Sequence, residues 1–173
     1  IYTILFVGSV KMCIRDRSLV RWGIPYLVVG GLRFYDRREI KDVLAYLRLL
    51  VNPADTVSLL RVLNVPKRGI GKTTVERLTD AANQLGVPLW EVVSDAEAVR
   101  SLGGRSAKGL LQFCELIQDL QRRSQEAPPS ELVQRVMEQS GYVAELLHEA
   151  TDEAEERRRN LQELVNAALQ YQE

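Results

Sequence analysis

Between Val65 and Thr74 the chain reads V-P-K-R-G-I-G-K-T-T: two glycines around one isoleucine, cations on both sides, and two hydroxyls at what should be a helix start. Glycine takes positive φ at little cost and lets main-chain N–H groups approach a ligand closely. The first turn of a helix adds unpaired N–H donors at the positive end of its dipole. Residues of these types in this order could cradle an anion, a phosphate above all.

Spacing separates the modules that use such a turn. A nucleotide P-loop needs a glycine, four residues, then Gly-Lys-Ser/Thr, all behind a buried strand. Counted back from Gly71, Pro66 stands where the first glycine belongs. The preceding stretch, Thr56 to Val65, carries Val57, Leu59, Leu60, Val62 and Leu63, which fits a buried helix at least as well as a strand. The order helix, h-P-x-x-G-I-G, helix is instead similar to the helix-hairpin-helix turn, which holds duplex DNA by its phosphates without reading bases. That likeness implies that Ile70 plugs between the two helices. It also implies that Gly69, Gly71 and Lys72 offer N–H groups to phosphate oxygens, with Thr73 beside them, while Lys67, Arg68 and Lys72 supply charge. An ordinary interhelical turn with solvent-facing lysines remains the alternative on local pattern.

Other candidates are fewer. Gly103-Gly104-Arg105-Ser106-Ala107-Lys108-Gly109 is a second glycine-rich, basic stretch leading into a helix; it gives a second phosphate contact through Arg105 and Lys108, or an ordinary turn. Arg33, Phe34 and Tyr35 follow a strand end, where a guanidinium can meet a phosphate and rings can stack on bases. Alternatively, the two rings anchor the next helix. The 23 Lys and Arg balance 23 Asp and Glu, so no whole-molecule field draws the chain to nucleic acid and binding must come from local patches. One histidine, His148, removes the common histidine metal clusters and most catalytic triads, and belongs on a helix surface. Cys114 lies in phase with Leu110, Phe113 and Ile117 and shares no motif with Cys13, which reads as a buried thiol of a reducing, cytoplasmic compartment.

Periodicity sets out the elements that must hold these residues. Ser18 to Gly23 reads as a helix tail and Tyr26 to Val29 as a short buried strand ended by Gly30-Gly31. From Asp36 the period is helical, with Ile40, Val43, Leu44, Leu47 and Leu50 on one face. Arg37, Arg38, Glu39, Lys41 and Asp42 read as surface and interdomain ion pairs, and Asn52-Pro53 stops the helix. After the Gly-Ile-Gly turn, Thr73-x-x-Glu76 makes a capping box for a helix through Val75, Leu78 and Ala82, ended by Gly86; Ser94-x-x-Glu97 makes another. Trp90 reads as core. Helices follow over Leu110 to Arg122, over Ser130 to Leu147 with a break at Gly141, and through the charge block Asp152 to Arg159. Ile1 to Val10 is apolar but about half the length of a membrane span and has no cleavage pattern. Lys11 to Arg17, K-M-C-I-R-D-R, resembles the translation of a sequencing-library adapter, which makes 1–17 an artefactual leader; a native basic turn is the alternative.

Two blocks carry a wider resemblance. G-G-L-R-F-Y-D-R-R-E-I-K-D-V-L-A-Y-L-R-L-L-V-N-P-A-D, followed by L-L-R-V-L-N-V-P-K-R-G-I-G-K-T-T, resembles the middle of a UvrD/PcrA/Rep-type superfamily-one DNA helicase, from about Ser18 to the C-terminus. Such enzymes are ATP-driven 3′-to-5′ translocases with two motor domains and inserted accessory domains. The resemblance implies that 18–52 is the edge of the second RecA-like motor domain and 53–173 most of the helical insertion called 2B. The expected fold is therefore mainly α, with a short strand-helix remnant of an α/β motor at the start. Implied partners are DNA, as a duplex backbone at the hairpin and a single strand near Arg33, and the motor domains of the parent chain, with no membrane. ATP and Mg²⁺ are implied for the parent but for no site here. No Walker lysine, acidic Mg²⁺ motif or arginine-finger motif can be matched, and without them phosphoryl transfer lacks positioning and charge neutralisation. A helical protein-interaction or autoinhibitory domain with no DNA contact is the competing function.

Overall fold

The computed structural model describes residues 31–124 and 127–170, without the side chains of 31–33. The leader, the helix tail at 18–23 and the strand at Tyr26 to Val29 fall outside the described residues. Within them the fold is mainly α, and no strand occurs.

Helix α1 (Gly31–Asp36) leads into α2 (Arg38–Val51), the helix around which the others gather. It packs against α3 (Thr56–Val62), α7 (Ala107–Ser124), α8 (Pro129–Gln139) and α10 (Asp152–Leu169). Neighbours on several sides explain why its buried surface exceeds the single stripe expected. Ile40, Val43 and Leu50 are buried as predicted, Leu44 and Leu47 only half so, and Tyr46 and Leu49 are sealed completely. Each fully buried aliphatic side chain among them contributes about 1.5–3 kcal/mol of transfer free energy.

Two acids on α2 correct the expectation of surface pairs. Asp42 is only 2% exposed; one oxygen accepts from Arg61 Nε at 2.8 Å and the other from the Tyr142 hydroxyl at 2.9 Å. Glu39 is likewise buried and accepts from Asn160 Nδ2 at 2.7 Å. A carboxylate can sit in an interior only when its lone pairs are met, and these partners fasten α2 to α3, α9 (Tyr142–Glu149) and α10. Arg37 with Glu156 and Lys41 with Asp36 are surface pairs, as expected.

The remaining helices are α4 (Lys72–Leu85), α5 (Leu89–Ser94) and α6 (Ala96–Leu102), followed by one 3-10 turn at Gly104–Ser106. Gly86 ends α4 with φ +67°, and the Val87 N–H returns to the Ala82 carbonyl at 3.1 Å. Both predicted capping boxes are displaced. Helix α4 begins one residue before Thr73, because the Gly71 carbonyl already accepts from the Thr74 and Val75 N–H groups, so Thr73 is helical and cannot cap. Asp95, not Ser94, caps α6, accepting from the Glu97 and Ala98 N–H groups. Cys114 is buried, its thiol donating to the Val93 carbonyl at 2.8 Å, and His148 is exposed on α9. The sequence-drawn boundary at 52/53 falls between α2 and α3, which share one core.

Candidate nucleic-acid interface

The turn from Leu63 to Gly71 is held from inside by two side chains. Asn64 Oδ1 accepts from the Arg68 N–H at 2.8 Å and the Ile70 N–H at 3.2 Å, closing the loop on itself. The Val65–Pro66 peptide bond is cis. Gly69 has φ +71°, a left-handed conformation that L side chains resist, and Ile70 is buried in the core.

Arg68 departs from expectation. Its guanidinium points inward, donating through Nη1 to the Val62 and Pro66 carbonyls at 3.2 Å each, and through Nη2 to the Tyr46 hydroxyl at 2.8 Å and the Ser140 carbonyl at 3.1 Å. It also lies over the Phe113 ring, 5.3 Å from the centroid. The half-buried side chain is thus occupied by carbonyls of the turn and of the α8 C-terminus, which match a planar fork of donors. So engaged, the guanidinium is turned away from the phosphate contact expected of it. The Tyr46 hydroxyl in turn donates to the Val65 carbonyl. Burial pushes this phenol up to about 12, with Arg68 pulling in the opposite direction.

The outer rim of the turn is open. Gly69, Gly71, Lys72 and Thr73 are exposed, and their N–H groups donate to nothing among the described residues. They stand at the start of a 14-residue helix with no capping side chain and no acid in its first turn. Such an end carries about half a positive charge that falls off within one turn. By contrast α3, α6 and α10 are capped by Asp55, Asp95 and Thr151. Lys67 has no carboxylate within ion-pair distance among the described residues, and Lys72, 90% exposed, holds only Glu76 at 3.6 Å.

The second glycine-rich stretch meets the first. Ser106 Oγ donates to the Gly69 carbonyl at 2.9 Å, and Thr74 Oγ1 donates to Ser106 Oγ at 3.3 Å. Gly109 is so close that a Cβ there would lie 2.4 Å from the Arg68 carbonyl oxygen. This contact brings the backbone of exposed Arg105 and Lys108, neither ion-paired among the described residues, up to the hairpin. Phe34 does not join them. At 7% exposure it is core, edge-on to Tyr35 at 5.2 Å, so no base can stack on it and its part is to anchor α1. The Arg33 side chain lies outside the described residues.

The model of the family described as UvrD-like helicase C-terminal domain matches residues 4–173. The chain belongs to that family. It is similar to the ATP-dependent DNA helicase PcrA of Staphylococcus aureus and that of Staphylococcus epidermidis, 35% identical to each over 170 residues. The alignment takes in 98% of this chain and 23% of either relative, so the chain spans under a quarter of their length. The family match begins at residue 4, inside the stretch read as a leader.

In this UvrD-like chain the turn does not fit a nucleotide and its Mg²⁺: Pro66 replaces the first P-loop glycine and a helix, α3, stands where a strand is required. No group of three potential metal ligands occurs among the described residues, and none of their helices is long and apolar enough to cross a membrane. Sequence reasoning missed Asn64, Tyr46, Ser106 and Gly109 as the parts that shape the site. For Asn64 only a general signal existed, since asparagine is a common turn residue whose side chain bonds nearby main-chain groups.

Proposed function

We propose that this region of a UvrD-like helicase grips duplex DNA by its phosphates, without reading sequence, while the longer protein unwinds it. What carries the proposal is the set of unpaired N–H groups of exposed Gly69, Gly71, Lys72 and Thr73, at an uncapped helix start beside Lys67 and Lys72. Main-chain donors and flexible ammonium groups fix register on a backbone and carry no base information. Arg105 and Lys108, on the abutting turn, extend the same surface to a neighbouring phosphate. Single-strand contact near Arg33, and packing against motor domains, belong to the same proposal.

ATP and Mg²⁺ act, on this proposal, in motor domains of the longer protein, and the 173-residue chain alone turns over no ATP. The grip is tested by fluorescence anisotropy of a labelled duplex titrated with the chain at several KCl concentrations. Lys67 and Lys72 alone give a log-log slope of about −1.8, and with Arg105 and Lys108 about −3.6, at roughly −0.9 per neutralised phosphate. Affinity should lie in the non-specific range, about 10⁻⁴–10⁻⁶ M, and be the same for unrelated sequences. Affinity that ignores salt, or that survives Gly69→Val combined with Lys67→Glu, overturns the proposal.

A further inference from the structure

One acid faces the gripping turn from another helix. Glu145, half-buried on α9, accepts a hydrogen bond through Oε1 from the main-chain N–H of Lys67 at 3.4 Å. Its carboxylate therefore occupies a main-chain donor two residues before Gly69, in the same turn that carries the open amides of Gly69 and Gly71. No lysine or arginine lies within ion-pair distance of Glu145 among the described residues; Arg68 shares the surroundings of the Tyr46 hydroxyl with it. The bond is long, which suits a partner that can be displaced.

We propose that Glu145 is a built-in competitor of phosphate: it holds the Lys67 amide when DNA is absent and opposes an incoming phosphate by charge, which keeps the grip weak enough to release. This rests on the duplex grip proposed above. On this proposal Glu145 acts through the Lys67 amide and bonds no DNA atom, so it is a positioning residue. A repulsive charge set against a ligand lowers affinity in the same way that repulsive elements exclude unwanted partners. For scale, two like unit charges about 7 Å apart in an environment close to water repel by about RT, a factor of about three in affinity, and more where solvent is partly excluded.

The test measures duplex affinity of the 173-residue chain by anisotropy for the wild type, Glu145→Gln and Glu163→Gln. Glu163 is exposed on α10, so both variants make the same change in net charge. Glutamine at 145 keeps an acceptor for the Lys67 amide and the shape of the side chain, and removes only the charge. The expected result is at least about threefold tighter binding for Glu145→Gln than for Glu163→Gln at low salt, shrinking as salt screens the charge. Glu145→Ala, which removes acceptor and charge together, should gain at least as much and guards against a folding fault in one variant. Equal affinities for the two glutamine variants, with a wild type that binds, overturn the competitor role and leave the grip standing. A wild type that binds no duplex overturns both.

Discussion

Replacing Arg68 separates a mount from a contact. In the structure its guanidinium meets the Val62, Pro66 and Ser140 carbonyls and the Tyr46 hydroxyl, and covers Phe113. Arg68→Ala leaves those acceptors without a donor in a half-buried setting. Net values of about 0.5–1.5 kcal/mol per hydrogen bond, reduced because water reaches part of the site, put the loss near 3 kcal/mol. For a chain of this size that lowers Tm by about 6–12 °C, at roughly 2–4 °C per kcal/mol. Arg68→Lys should recover little, since one ammonium cannot span the same carbonyls. Melting is followed by circular dichroism at 222 nm, and the salt slope of duplex binding is measured below the melting range. The slope should be unchanged. A Tm within about 2 °C of wild type, together with a slope shallower by about 0.9, would show that the guanidinium faces phosphate and refute the inward assignment.

Gly109→Ala should destabilise by about 1–3 kcal/mol and weaken duplex binding, because the new methyl lands 2.4 Å from the Arg68 carbonyl oxygen and must push the two turns apart. Gly71→Ala, whose Cβ meets nothing within 4 Å, should leave the urea midpoint almost unmoved. At alkaline pH the chain should lose stability. Burial raises the Tyr46 phenol and the Cys114 thiol to about 12 each, and burial followed by Asp42 raises the Tyr142 phenol. The folded state keeps these protons where the unfolded chain releases them, so this stabilisation is complete below about pH 8.5 and drains away as pH climbs towards 12. Urea midpoints from pH 8 to 11 measure it, and Tyr46→Phe should flatten the fall.

Much of the fold could be read from the chain because its helices follow a strong apolar period. The helix ends at Gly86 and Asn52, the break at Gly141 and the burial of Cys114 and Ile70 all agree with the sequence reading. The failures share a cause. Composition reports charge but not direction, so Arg68, Glu39 and Asp42 read as surface although folding points them inward to waiting partners. Phe34 had two readings that only burial separates. The capping boxes slipped because the competing residue was adjacent: the Gly71 carbonyl started α4 before Thr73, and Asp95 stands beside Ser94. The meeting of the two glycine-rich turns, at positions 69 and 106, depends on long-range packing that no local spacing encodes.

The Tyr46, Arg68 and Ser140 linkage has a mechanical corollary. A bend secured only at its two ends would stretch when tugged and dissipate the pull. Here tension applied at Gly69 passes within one residue to a cation bolted to the central helix and to the end of α8. A pull on the turn would be felt across the bundle at once, so the hairpin would behave as a stiff lever and not as a tether.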